Sequence, residues 1–215
     1  MREVDKKKPT MRGVLHQAAF YSSIGAGLML ISIAHNTLSQ VSASVYVASL
    51  VCLFGVSALY HRPTWGHKTR LLMRKLDHSS IYFLIAGSAT PIFLLGLPAV
   101  SAHRLVLTVW VVALFGALKS FFWPFAPRFL SVFIYIAAGF VAIPYLSQLK
   151  LALGAFGVEL LMAGALIYVL GALVYAFRRP NPYPQTFGYH EVFHAMVVIA
   201  SAFHFKVIYD LIRGN

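Results

Sequence analysis

The stretch from Val41 to Tyr60, VSASVYVASLVCLFGVSALY, runs for twenty residues without a charged side chain. As a helix rising 1.5 Å per residue it would be about 30 Å long, the thickness of the hydrocarbon core of a bilayer. Six more apolar runs lie around it, at about 13–34, 78–98, 105–123, 129–147, 157–177 and 189–209, separated by polar punctuation. The expected fold is therefore all-α: a bundle of seven transmembrane helices over residues 13–215, preceded by a basic tail over residues 1–12.

Composition excludes the soluble alternative. Of 215 residues, 59% are hydrophobic and 11% charged, and the mean hydropathy is +0.73, whereas soluble domains carry roughly a quarter charged residues. A net charge of +12 would suggest nucleic acid as a partner of a soluble protein. Here most of the Lys and Arg fall in short segments between apolar runs, so no nucleic-acid role is expected and the charge sets topology instead. Cys52 stands alone in the chain, which rules out an internal disulfide or thiolate cluster and marks it as core filler. The segment after Lys6, Lys7, Lys8 and Arg12 is too long for the apolar part of a signal peptide and reads as the first span. The longest connections are 61–77 and 178–188, the second carrying Pro180, Pro182 and Pro184, which exclude regular helix. No internal repeat or low-complexity segment is visible.

Cytoplasmic loops are enriched in Lys and Arg. Thirteen such residues fall on the side of the N-terminal tail and three on the other, with Lys119 and Lys206 left out because they lie within spans near enough to the ends to snorkel. The N-terminus is thus expected inside and the C-terminus outside.

That orientation gathers ionisable groups at one face. His61 ends the second span four residues after Ser57; Asp77 and His78 open the third; His190 and His194, one turn apart, open the seventh. Two imidazoles at i and i+4 can grip one ion, a third from another helix leaves a position open for water, and neutral imidazole suits zinc. The expected metal ligands are His61, His190 and His194. Asp77 can bind the metal or orient its water, or simply cap the third helix. Ser57 can donate to a substrate or oxyanion, or bond a carbonyl one turn back. His16 either reaches the site or marks the interface. His204 lies some ~15 Å further along the seventh helix and is too far to be a ligand. His35, His67 and His103 are expected in loops. His190 to His194 also matches H-E-x-x-H, the metalloprotease signature; against an intramembrane protease, Glu191 points about 100° round the helix from His190 and reads equally well as a first-turn carboxylate favoured by the helix dipole.

The blocks SALYH (57–61), LDHSSIYFLIAGSATP (76–91), FGYHEVFH (187–194) and FHF (203–205) together resemble the hemolysin III family, the bacterial branch of the progestin and adipoQ receptor family. The resemblance implies seven helices with a cytoplasmic N-terminus in a bacterial plasma membrane, and zinc held at His61, His190 and His194 with Asp77 and Ser57 beside it. Ceramidases in the wider superfamily imply hydrolysis of a lipid amide and a membrane lipid as substrate or ligand. Near the first helix the family's usual acidic residue, Asn and Thr-His are reduced to His16. A zinc-dependent lipid hydrolase is the leading expectation; the alternatives are a non-catalytic lipid sensor or membrane-stress regulator with structural zinc, and a cytolysin.

Overall fold

The structure, a computed structural model, describes residues 8–215, so residues 1–7 of the expected tail lie outside the described residues. Among the described residues there are seven α-helices and no strand: α1 (Val14–Ser32), α2 (Thr37–His61), α3 (His67–Gly96), α4 (Ala99–Phe122), α5 (Arg128–Phe140), α6 (Leu146–Phe177) and α7 (Tyr189–Gly214). Six stretches are long and apolar enough to cross a membrane: α1, α2, α3, α4, α7 and the 50-residue run Arg128–Phe177.

That run is divided by its own chemistry. Pro144 lies in a 3-10 turn, Ile143–Tyr145, between α5 and α6. Proline has no N–H to give to the carbonyl four residues back, which is that of Phe140, and α5 stops there. Within α6, Gly154 adopts φ 68° and ψ 178°, a conformation that only glycine takes without strain, and breaks the helix near its beginning.

The central element is α3, which contacts α2, α4, α5, α6 and α7. It carries buried hydroxyls inward because it satisfies them itself: Ser80 donates to the carbonyl of Asp77 at 2.7 Å, Ser88 to Ile85 at 3.2 Å and Thr90 to Ala86 at 2.8 Å. An unpaired hydroxyl in an apolar medium would cost several kcal/mol, of order 2–7. Around α3 the core is filled by Tyr46, Tyr82, Phe93, Leu30 and Ile208. The α2–α3 contact is close because Gly87 lies against the Ser49 side chain, with no room for a Cβ.

Several expectations are corrected. α3 begins at His67, eleven residues before the expected 78. Its first turns, HKTRLLMRKL, contain strong helix formers and no breaker after Gly66, so the helix continues past the apolar run. Asp77 is therefore interior to α3 and cannot cap it; Gly66 holds that place. His67 starts α3 and His103 lies within α4, bonding the carbonyl of Ala99 at 2.6 Å, so neither is a loop residue. Cys52 is exposed on the outer side of α2 and fills no core. Lys119 is partly buried and donates to Ser131 Oγ at 2.6 Å, while Lys206 pairs with Asp210 one turn on, also at 2.6 Å.

Candidate metal centre

The end of α2 and the start of α7 are brought together at one end of the bundle, and with them His61, His190 and His194. Each offers one ligand nitrogen within 4.8 Å of the others. His61 Nε2 and His190 Nε2 are 3.1 Å apart. Zinc bonds of about 2.0–2.1 Å in a tetrahedral arrangement would separate neighbouring nitrogens by roughly 3.3 Å, so the donor set fits such an ion in chemistry and the His61–His190 pair fits it in spacing. His61 and His194 are buried, and His190 is half-buried.

Asp77 Oδ2 lies 3.8 Å from His61 Nε2, the same nitrogen that faces His190. The carboxylate is thus beside the ligand nitrogens and not behind an imidazole. Ser57, one turn before His61, does not bond its own helix: its Oγ is 2.8 Å from His16 Nδ1. The His16 ring in turn stacks on His194, centroids 3.7 Å apart and 8° from parallel. His16 therefore reaches the site, one of the two readings open to it, and joins α1 to the groups on α2 and α7.

A second contribution from the chain's beginning was not legible in the sequence. Arg12 Nε is 2.5 Å from Glu191 Oε1, and Glu191 is 1% exposed. The other oxygen of Glu191 accepts from the Gly188 N–H at 2.9 Å, capping α7. The favourable first-turn role for Glu191 is the one seen, and its carboxylate is already engaged by these two donors, which does not suit a general base. Next to Arg12, Thr10 and Met11 donate their N–H groups to the carbonyls of Gln185 and Thr186, each at 3.1 Å. Lys8 Nζ reaches the carbonyl of Pro63 at 2.9 Å; burial first, then the charges of Arg70 and Arg12, hold its ammonium below the usual range. Gly13 turns the chain into α1 at φ 77°, and a Cβ there would come 2.7 Å from His61 Cβ. Residues 8–16 thus touch both helix ends that carry the three imidazoles.

A cavity opens from the cluster, lined by His16, Ser57, Asp77, His78, His190 and His194 at one end and by apolar side chains beyond. Tyr135, Tyr168 and Tyr175 also line it; the signal for Tyr135 and Tyr168 was a phenol inside an otherwise apolar span. A second cavity shares Ile85, Ser88, Tyr135, Tyr168 and Ala172 with the first and has His204 in its wall. His204 lies apart from the cluster, with Nε2 3.3 Å from the carbonyl of Leu161.

Fold and site define a class: an all-helical, multi-pass membrane protein with a buried three-histidine cluster that can hold a metal ion. Within that class the chain belongs to the haemolysin-III-related family, whose family model matches residues 4–205. It is 32% identical over 201 residues to the hemolysin-3 homolog of Bacillus subtilis (strain 168), covering 91% of this chain and 90% of that one. It is also 32% identical over 204 residues to hemolysin-3 of Bacillus cereus, covering 93% and 89%. A human relative, monocyte to macrophage differentiation factor, is 24% identical over 199 residues, covering 90% of this chain and 80% of the relative. The family resemblance drawn from the sequence blocks holds.

Proposed function

We propose that this chain is a zinc-dependent hydrolase of a membrane lipid amide or ester, crossing a bacterial plasma membrane seven times with its N-terminus in the cytoplasm. The observation that carries the reading is the convergence of three imidazoles, two of which line an apolar cavity together with a carboxylate and a hydroxyl. Seven crossings are supported by length: 50 residues as one helix would extend about 75 Å, more than twice the hydrocarbon core. The orientation rests on the excess of Lys and Arg on the side of the cluster.

Zinc held by His61, His190 and His194 would supply Lewis-acid chemistry toward water and a carbonyl oxygen. The chain's own groups do the rest. Asp77 takes a proton from the water whose oxygen attacks the carbonyl carbon, and returns it to the leaving nitrogen or oxygen as that bond breaks. Ser57 donates a hydrogen bond from its hydroxyl to the carbonyl oxygen as charge builds there. For this, His16 Nδ1 must carry its proton and donate to Ser57 Oγ, leaving the hydroxyl hydrogen free. The apolar cavity holds the acyl chain and keeps bulk water from the reacting carbon.

The test is Asp77→Asn on the purified protein, with bound zinc and released fatty acid both measured against ceramides and other acyl lipids. Retained zinc with turnover lowered about 10²- to 10⁴-fold is expected for loss of a general base. Zinc-loaded wild type that turns over no lipid in a broad panel would replace the hydrolase with a sensor in which the same ligands hold α2 to α7.

A further inference from the structure

Three cations occupy positions that membrane topology alone does not account for. Lys68, Arg70, Arg178 and Arg179 are exposed, as cations that serve only to mark a cytoplasmic surface should be. Arg74 on α3, Lys119 on α4 and Arg128 on α5 are half-buried instead, as is Lys75, which lies over the Phe121 ring at 4.7 Å, away from the cavity lining; Arg74 stands one turn before His78, which lines the cavity. Lys119 bonds Ser131, and Arg128 lies over the Tyr175 ring at 5.0 Å; Ser131 and Tyr175 both line the cavity. His78 lies in the same wall.

The partners of these cations are neutral. Arg74 lies 4.8 Å from the Phe125 ring, and Arg128 Nη1 also reaches the Tyr189 hydroxyl at 3.4 Å. Among the described residues none of the three forms an ion pair, although Arg12 and Lys206 do. Half-buried cations whose hydrogen-bond and ring partners are neutral and that form no ion pair leave positive charge beside an apolar chamber, an arrangement that an anion would complete. Donors from three helices suit an anion with several oxygens, as phosphate has, better than a carboxylate, which one guanidinium can saturate.

We propose that Arg74, Lys119 and Arg128 form the seat for the phosphate of an anionic phospholipid whose acyl chain enters the cavity. The assignment rests on the reading of that cavity as the place of a lipid, and it gives that lipid a headgroup. A phosphate held at this seat leaves the acyl linkage free to extend inward toward Asp77 and the three imidazoles.

The test uses the full-length protein, delipidated in detergent and incubated with equimolar phosphatidylglycerol and phosphatidylcholine, with retained lipid quantified by mass spectrometry. Neither zinc nor turnover enters the readout, so failure here and failure of the hydrolase reading are separate results. Wild type should retain phosphatidylglycerol preferentially. The variant Arg74→Gln/Lys119→Gln/Arg128→Gln should lower that preference about tenfold or more, as expected for loss of charge-assisted hydrogen bonds. Lys68→Gln/Arg178→Gln/Arg179→Gln removes the same charge from the same side of the protein and should leave the preference intact. Arg74→Lys/Arg128→Lys, which keeps the charge, should preserve most of it and serves if the glutamine triple variant does not fold. Equal retention of the two lipids by wild type, or equal loss in both triple variants, would overturn the proposal. Inorganic phosphate binding as tightly as dihexanoyl phosphatidylglycerol would overturn the lipid assignment in favour of a soluble anion.

Discussion

Arg12 and Glu191, 179 positions apart in the chain, meet with guanidinium Nε 2.5 Å from carboxylate Oε1. Glu191 stands between His190 and His194 in sequence and caps the helix that carries both. The position of two candidate ligands is therefore tied to a side chain that lies ahead of the first helix.

Removal of Arg12 alone leaves a buried carboxylate without its counter-charge. Arg12→Met should destabilise the protein by about 3–5 kcal/mol and weaken metal affinity, whereas Arg12→Met/Glu191→Gln should recover much of the stability because no buried charge remains. Thermal unfolding in detergent and zinc titration of the four proteins of the cycle measure both. Additive effects would show that the pair does not act as a unit.

His194→Ala removes one nitrogen of three and also the ring on which His16 stacks. Metal analysis of the purified protein should find about one zinc per chain in wild type and a loss of affinity of 10-fold or more in the variant; wild type without zinc would sink the ligand assignment.

At Gly13 two obstacles coincide, a positive φ and the approach of His61 Cβ. Gly13→Ala should cost about 1–2 kcal/mol from backbone conformation alone, and the displacement of His61 adds a loss of zinc affinity. A variant as stable and as zinc-competent as wild type would mean that the turn into α1 is free to relax.

Ser57 and His16 should behave as a coupled pair. Ser57→Ala and His16→Phe are each expected to lower lipid turnover with zinc retained, and the double variant to be little worse than either alone, since each acts through the same hydrogen bond. Independent, multiplying losses would assign the two residues to separate tasks.

The convergence of His61, His190 and His194 was legible in the sequence because two local signals agreed: i, i+4 spacing on one helix, and a charge asymmetry that set both helix ends on one face. The start of α3 was not legible, because hydropathy reports where a helix is apolar and says nothing of how far it runs into water; ten residues rich in Leu, Lys and Arg continue it. The contact of Arg12 with Glu191 left no local trace, since neither residue type nor spacing links positions so far apart. Arg74, Lys119 and Arg128 were visible as charges, but a count of cations per side cannot separate one facing water from one turned against a cavity wall. The break between α5 and α6 could have been placed at Pro144 from the missing N–H alone.

His61 and His190 are 129 positions apart. At a synthesis rate of about 5–20 residues per second, the second ligand leaves the ribosome roughly 6 to 26 s after the first. For the part of that interval after α3 has been made, α2 and α3 can bring His61 and Asp77 together while α7 does not yet exist. The three-imidazole set is therefore completed only when α7 has joined the bundle, and the site is among the last features of the fold to form.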